Sequence, residues 1–284
     1  MTKSKNSQEE YLKNLWVPVS GAIAQQRKVE TIANNVANAN TAGFKKDDLT
    51  FKEHVTALEN GHQDIDLPQK EWKPEDFYRS YGAENAQVKV DGSFTDFSQG
   101  DLTPTGNPLD IGIKGEGFLE VLSPNGVRYT RKGILSVNNQ GVLVTDQGLP
   151  VLSKLNINPL ENEGISQPQD RVIRLPRGKV SVNLQGEIFV GNERVEQLSV
   201  QEFNDIQALK KEGNSQFINP DPKNLKTDEV ASTLHQGFVE GSNVNALSEM
   251  SELIKANRHF ESIQKAIKAY DNMSGKSVNE ISRF

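Results

Sequence analysis

The chain has 284 residues, a net charge of −6 and no cysteine. The absence of cysteine excludes disulfides, thiolate metal sites and cysteine nucleophiles. Because neutralising phosphates requires clustered lysine and arginine, and no basic run is present, we expect no nucleic-acid partner. The low apolar fraction of 35% limits the core that one copy can bury alone. Part of the apolar surface is therefore expected to be covered by neighbouring copies.

The first predicted segment is a polar arm, residues 1–14, which we expect to be disordered. The apolar stretch that follows, residues 15–19, is too short for the core of a signal peptide. No apolar run reaches the ~20 residues that a membrane span needs. The sequence therefore predicts a chain with no cleaved secretory signal and no direct membrane insertion.

An amphipathic helix is predicted to begin near Val17 and to end close to Ala39. Its apolar side chains recur at spacings near the 3.5-residue period of coiled coils. They are Leu15, Val19, Ala22, Val29, Ala33 and Val36. Pro18 suits the first turn, where its missing N–H costs nothing. Gly43 is predicted to adopt the left-handed conformation that ends a helix.

Four asparagines lie at the end of this helix: Asn34, Asn35, Asn38 and Asn40. Asparagine is a poor helix former, so the cluster needs another explanation. One interpretation is a solvated, frayed helix end. The other is that the amides are buried between copies and bond across them, where each unsatisfied group costs about 1–3 kcal/mol. The sequence leaves both open.

The middle of the chain is predicted to be an all-β domain, residues 88–235, preceded by an extended linker or excursion, residues 45–87. Short β-branched runs flank turn sequences in residues 118–130, 134–144 and 180–190, which predicts three hairpins. Residues 197–203 predict a further strand. Residues 64–85 contain two prolines and many charges, and indicate a long loop.

A second helix is predicted from about residue 245 to residue 273. Its apolar residues alternate at spacings of three and four, and we call them the C-terminal seam: Leu253, Ala256, Phe260, Ile263, Ile267 and Tyr270. The predicted fold class is α+β. Residues 15–44 and 236–284 would pair as a coiled-coil core domain, with the all-β domain inserted between them.

No catalytic, metal or cofactor site is predicted. The four histidines, His54, His62, His235 and His259, occur singly and lack metal-ligand spacing. The glycine-rich residues 111–118 precede a strand where a phosphate-binding loop would need a helix, so we interpret them as a turn. Carboxylates are abundant, which leaves an extracellular β-rich carbohydrate-active or carbohydrate-binding protein as an alternative. That alternative does not explain the two apolar helix stripes.

Three stretches resemble one known family in the same order along the chain. Residues 20–22 and 32–44 (IANNVANANTAGF) are similar to the N-terminal signature of flagellar basal-body rod and hook proteins. Residues 99–118 and the hairpin start at 129–133 resemble the central motif of that family. Residues 236–245 (QGFVEGSNVN), followed by residues 249–261, resemble its C-terminal signature. Within the family, residues 105–110 and 258–261 look closer to the proximal than to the distal rod branch.

The resemblance implies a structural subunit of the flagellar rod and not an enzyme. Members polymerise helically with themselves and with other rod proteins into a hollow shaft that crosses the periplasm and transmits torque to the hook. They leave the cell through the flagellar export apparatus. A distal rod protein or a hook-like axial protein stays an alternative, although a hook subunit would carry larger β insertions.

The subunit interface is expected to combine residues from both predicted helices and their ends. These residues are Val29, Ala33, Asn34, Asn35, Val36, Asn38, Asn40, Asn243, Leu253, Phe260, Ile263, Ile267 and Tyr270.

Overall fold

The computed structural model describes residues 2–56, 85–154, 167–226 and 231–281. Two long helices, α1 (Thr2–Ala37) and α2 (Ala246–Ile281), flank the strands. Three short 3₁₀ helices lie at Pro168–Arg171, Ile206–Ala208 and Pro222–Asn224. Among the described residues, no helix is long and apolar enough to span a membrane.

The strands are β1 (Asp47–Thr56), β2 (Asn85–Thr95), β3 (Leu102–Pro104), β4 (Ile111–Lys114), β5 (Phe118–Ser123), β6 (Gly126–Thr130), β7 (Leu135–Val137), β8 (Leu143–Thr145), β9 (Val180–Val182), β10 (Glu187–Val190), β11 (Glu193–Gln197), β12 (Val200–Gln201), β13 (Lys210–Gly213), β14 (Gln216–Ile218), β15 (Thr233–Gln236) and β16 (Phe238–Glu240). Two helices and many strands in small sheets confirm the α+β class.

The three predicted hairpins are confirmed as antiparallel pairs β5–β6, β7–β8 and β9–β10. The predicted strand over residues 197–203 is interrupted between β11 and β12. Leu198 N donates to Gly186 O, whereas Ser199 N donates to Leu152 O. Because these two residues bond to different segments, they cannot continue one ladder.

The largest sheet has five strands in the order β12-β5-β6-β14-β13. A three-stranded sheet has the order β11-β10-β9, and β15–β4, β16–β3, β7–β8 and β1–β2 form two-stranded sheets. One face of these strands packs an aliphatic core around Ile113, Leu119 and Leu234. A second cluster is aromatic: the Phe118 ring meets the rings of Phe203 and Phe217 at 5.7 and 5.6 Å.

The chain divides into two compact units. The β unit comprises Asn35–Lys46 and Thr95–Ala246, and the helical unit comprises Met1–Asn34, Asp47–Phe94 and Leu247–Phe284. The β unit therefore includes residues 35–46 and 236–246, which the sequence assigned to the helical core or the linker. Backbone hydrogen bonds explain this, because Gly43 N donates to Glu240 O at 2.8 Å and Gly241 N donates to Asp101 O at 2.8 Å.

The prediction that residues 1–14 form a disordered arm, with a helix starting near Val17, is wrong. Helix α1 begins at Thr2, and Pro18 lies inside it. Residues 8–13 (QEEYLK) are mostly strong helix formers, so they extend the helix ahead of the proline. Near Pro18, the Ser20 hydroxyl donates to Val17 O at 2.7 Å, a side-chain bond to the preceding turn of the helix.

The predicted linker over residues 45–87 is also wrong for its first part, since residues 47–56 form β1 and pair with β2. Thr50 Oγ1 donates to Gly92 O at 3.2 Å across the pair. The alternation of Leu49, Phe51 and Val55 was a strand signal that the surrounding charges concealed. Residues 57–84, which contain most of the predicted loop, lie outside the described residues.

Candidate assembly interface

The C-terminal seam lies on one face of α2. Ala256 is buried, the other seam residues Leu253, Phe260, Ile263 and Ile267 are partly buried, and Tyr270 is exposed. Gln25 Nε2 donates to Ala256 O at 3.1 Å, so α1 and α2 contact each other at this level. The seam therefore faces inward at one level and keeps apolar surface that a single copy does not cover.

The inward face of α1 differs from the predicted stripe. Its buried residues are Ala24, Ile32 and Asn35, whereas Ala33 is exposed. Val29 and Val36 are only partly buried. Ala24 and Ile32 are eight residues apart, a helical spacing that places both on one side. The sequence was ambiguous because small and apolar residues occupy more than one face of α1.

The asparagine cluster is divided by the structure. Asn35 is fully buried and Asn38 is partly buried, whereas Asn34 and Asn40 are exposed. Asn38 Oδ1 accepts from the Thr41 hydroxyl at 3.2 Å, and Thr41 N donates to Asn38 O at 3.0 Å. Asn38 thus shapes the turn that ends α1. The contribution of these asparagines to a subunit interface stays a prediction.

Gly43 has the left-handed conformation that the sequence predicted, with φ 65°. The segment that follows it meets the segment that precedes α2. Lys46 N donates to Asn243 Oδ1 at 2.9 Å, and Asn243 Nδ2 donates to Asp96 O at 2.8 Å. Asn243, predicted as an interface residue, therefore has an intrachain role. Its side-chain amide connects the backbone at Lys46 with the backbone at Asp96 within the β unit.

A buried ion-pair network lies next to this junction, and sequence reasoning missed it. Lys45 Nζ donates to Glu240 Oε1 at 2.7 Å and to Ser98 O at 2.7 Å. Arg131 Nη1 donates to Glu240 Oε2 at 3.4 Å. Gly100 N donates to Glu240 Oε1 at 3.1 Å. We call Lys45, Arg131 and Glu240 the charged clasp, because one carboxylate holds segments that are far apart in sequence.

The charged clasp contains two cations and one anion, all withdrawn from water. Lys45 and Glu240 are 0% exposed and Arg131 is 1% exposed. Burial lowers the pKa of the Lys45 ammonium, and the Glu240 carboxylate opposes that shift. Burial likewise lowers the pKa of the Arg131 guanidinium. The Arg131 guanidinium lies 4.7 Å from the centre of the Phe118 ring, which offers it a second electrostatic partner.

Arg131 Nε is one of two buried side-chain polar atoms, among the described residues, that have no hydrogen-bond partner. The Arg131 guanidinium is therefore incompletely hydrogen-bonded, and the stability of the folded chain depends more strongly on its contact with the Glu240 carboxylate. The sequence contains one hint of this site. Lys45 and Glu240 each lie within two residues of a glycine, in the segments that resemble the family signatures. Nothing in the sequence joined them to Arg131.

Gly100 approaches the backbone of the segment before α2 too closely for any side chain. A Cβ atom at this position would lie 2.2 Å from Gly241 O. We expect Gly100→Ala to lower the free energy of unfolding by at least about 2 kcal/mol, because two backbones must separate beside the charged clasp. Thermal unfolding followed by circular dichroism would measure this.

The matched control is Gly21→Ala in α1, where a new Cβ atom meets nothing within 4 Å. Removing a glycine from a helix interior should stabilise the chain by about 0.5–1 kcal/mol. If both substitutions had the same effect on unfolding, the close approach at Gly100 would not be a constraint on the fold.

Titratable groups in the described residues form no catalytic constellation that we recognise. No group of three or more histidine, aspartate or glutamate side chains among them is arranged to hold a metal ion. The other strongly buried charge pair, Glu120 with Arg171, is tied to Ser199 and to Ser153 O inside the β unit. Such a fully bonded pair is a structural feature of the core.

Comparison with known families places matches at both ends and in the middle of the chain. Residues 15–45 match the family described as "Flagella basal body rod protein". Residues 112–190 match the "Flagellar hook protein FlgE/F/G D1 domain", and residues 235–281 match the "Flagellar basal body rod FlgEFG protein C-terminal". These segments contain most of α1, strands β5 to β10 and β16, and the whole of α2.

Full-length relatives show the same similarity. The chain is 30% identical to the flagellar basal-body rod protein FlgF of Caulobacter vibrioides over 95% of its length and 98% of the relative. It is 32% identical to the flagellar basal-body rod protein FlgG of Borreliella burgdorferi over 94% and 98%. It is 31% identical to the flagellar hook-basal body complex protein FlhO of Bacillus subtilis over 96% and 100%.

Proposed function

Since the chain belongs to the flagellar basal-body rod protein family, we propose that it polymerises helically into the hollow drive shaft that transmits motor torque to the hook. It is a structural subunit of the rod, located in the flagellar basal body, and it assembles with other rod components. The family is structural and not enzymatic, which confirms the prediction made from the sequence.

The observation that carries the proposal is the partly exposed C-terminal seam. In the isolated chain, four apolar seam residues are only partly buried along α2. A monomeric helix would hide such a face completely against its own core, whereas a polymer covers it with neighbouring helices. A torsionally stiff shaft also needs helices that interlock side by side, which regularly spaced apolar residues supply.

The finer organisation belongs to the same proposal. In the rod, α1 and α2 would pair as a coiled-coil core, with the β unit inserted between them in the chain. The predicted interface residues of α1, its asparagine-rich end and α2 that keep exposed surface would contact other copies, whereas Asn35 is buried within the single chain. The partners are further copies of this chain, other rod proteins and the flagellar export apparatus, through which the chain would leave the cell without a cleaved signal peptide.

The position of the chain in the rod is the proximal one in this proposal. Residues 105–110 and 258–261 support it by their resemblance to the proximal branch. The distal rod is the second candidate, because FlgG relatives are as similar in identity as the FlgF relative.

Assembly of the purified chain tests the function. At high concentration we expect hollow helical rods by negative-stain electron microscopy, and we expect the protein in basal bodies isolated from cells. A chain that stays monomeric at every concentration, and that is absent from basal bodies, would contradict the proposal.

A further inference from the structure

A second apolar stripe lies on α2, away from the C-terminal seam. Leu247, Met250 and Ile254 are 77%, 48% and 54% exposed, and we call them the outer stripe. Their spacing of three and four places them on one face. At about 100° per residue, that face lies roughly 130° around the helix from the seam. Contact of the seam with α1 therefore leaves the outer stripe uncovered.

The same helical unit also contains a concave groove, whereas the outer stripe is a convex helix face. It encloses about 540 Å³ between α1 and the pair β1–β2, within the size range of concave binding sites. Its apolar lining comes from Ile23 and Ala24 on α1 and from Leu49, Val88 and Val90 on the strands. Ile23 and Val88 are 55% and 43% exposed. We call this the α1–β groove.

We propose that the outer stripe of one copy docks into the α1–β groove of the next copy. The inference rests on the proposed function, and it names one contact of the polymer. Two different patches on the same chain form a heterologous interface, and such an interface repeats without closing when the operation is helical. Both patches expose clustered apolar side chains, which soluble monomers normally avoid.

The charged residues beside the two patches favour α2 of a second copy as the helix that occupies the α1–β groove. One turn beyond the outer stripe, α2 exposes Arg258 and Glu261, three residues apart. The α1 edge of the groove exposes Arg27 and Glu30, also three residues apart and joined to each other by an ion pair at 3.3 Å whose exposed partners can exchange. If the two helices run antiparallel, Arg258 meets Glu30 while Glu261 meets Arg27. The two patterns are complementary only in this orientation, so the contact has a defined direction.

Engineered cysteines test the contact directly, because the chain has no cysteine of its own. An Ile23→Cys chain mixed with a differently tagged Met250→Cys chain should form mixed disulfide dimers under mild oxidation. The double variant Ile23→Cys/Met250→Cys should form a ladder of oligomers. The matched control pairs Ile23→Cys with Leu184→Cys, an exposed position in the β unit, and should give no mixed dimers above the background of random collision.

Charge reversal supplies an independent measurement. Glu30→Arg or Arg258→Glu alone should raise the critical concentration for polymerisation about threefold to tenfold, by placing like charges together. The combined variant Glu30→Arg/Arg258→Glu should return to within about twofold of the parent, since the pair is restored with its signs exchanged.

The outcomes separate the two proposals. If the parent chain polymerises while the mixed cysteine chains give no mixed dimers, or while the combined variant is no better than the single ones, the docking contact is wrong and the rod function stands. If the parent chain never self-associates, both proposals fail together. Mixed dimers with restored assembly in the combined variant support the contact.

Discussion

A Glu240→Ala chain is expected to lose about 3–5 kcal/mol of its free energy of unfolding, because the substitution removes the carboxylate that is hydrogen-bonded to two buried cations. Lys45 keeps its hydrogen bond to Ser98 O, and Arg131 keeps its ring contact with Phe118. The remaining carboxylates, Asp96 for Lys45 and Glu116 and Glu202 for Arg131, attract these cations without a hydrogen bond. Neither side chain reaches water in the folded chain. The loss therefore reflects the poorly compensated charges more than the loss of one ion pair.

Urea unfolding followed by circular dichroism would measure this loss. The matched control is Glu187→Ala, which removes the same side chain from a pair with Arg194 at 3.1 Å and from a hydrogen bond with Asn183 Nδ2 at 2.7 Å. Arg194 is 52% exposed in its side chain, so water replaces the missing carboxylate and the cost should stay within about 1 kcal/mol. Equal losses in the two variants would show that the charged clasp does not hold the β unit together.

A second substitution distinguishes buried charge from lost packing. Lys45→Met removes one cation while keeping a long apolar side chain, so Lys45→Met/Glu240→Ala should lose less than the sum of the two single changes. Residues in direct contact couple in this way, with interaction free energies of about 0.5–3 kcal/mol. Strict additivity would mean that Glu240 acts mainly through Arg131 and Gly100 N.

Short sequence patterns predicted the turns and hairpins, whose structure depends on residues close together in the chain. The hairpin β5–β6 was predictable because Pro124, Asn125 and Gly126, of which the first two form the turn, separate two short runs rich in β-branched residues. The positive φ of Gly43 was predictable because glycine adopts it without steric cost, although Gly43 lies in the turns after α1 and does not end the helix at Ala37. Each of these features is determined by residues within a few positions of one another.

The charged clasp could not be predicted in this way. Lys45, Arg131 and Glu240 are separated by many tens of residues, and each alone reads as an ordinary surface charge. Their burial arises only when β16 pairs with β3 and brings Glu240 beside the chain after α1. A contact of this kind depends on the tertiary arrangement, which the hydrophobic pattern does not encode.

The side of α1 that is buried within the single chain was not predicted, for a different reason. A strict heptad pattern was fitted to the helix, whereas a straight helix repeats every 3.6 residues and drifts from that pattern along its length. Ile32 and Asn35 are buried, although the first was left out of the predicted stripe. The apolar period correctly predicted a helix. It predicted only approximately which side of that helix is buried.

Phe260→Ala in the C-terminal seam is expected to abolish rod assembly while leaving the β unit folded. Phe260 is only partly buried in the single chain, so its truncation costs the monomer little. In the polymer, neighbouring helices would bury it, and truncating a buried phenylalanine costs about 3–5 kcal/mol. Because every subunit loses this amount, the critical concentration should rise about a hundredfold or more, at tenfold per 1.4 kcal/mol.

Sedimentation of the purified variant would give the critical concentration, and circular dichroism would report whether the strands remain folded. The control is Lys255→Ala, which truncates an exposed side chain on a face of α2 between the seam and the outer stripe. We expect this control to assemble like the parent and Phe260→Ala to stay in the supernatant with an unchanged β spectrum. Rods of normal length from Phe260→Ala would remove the seam from the polymerisation surface, because a buried aromatic contact repeated in every subunit cannot be lost without effect.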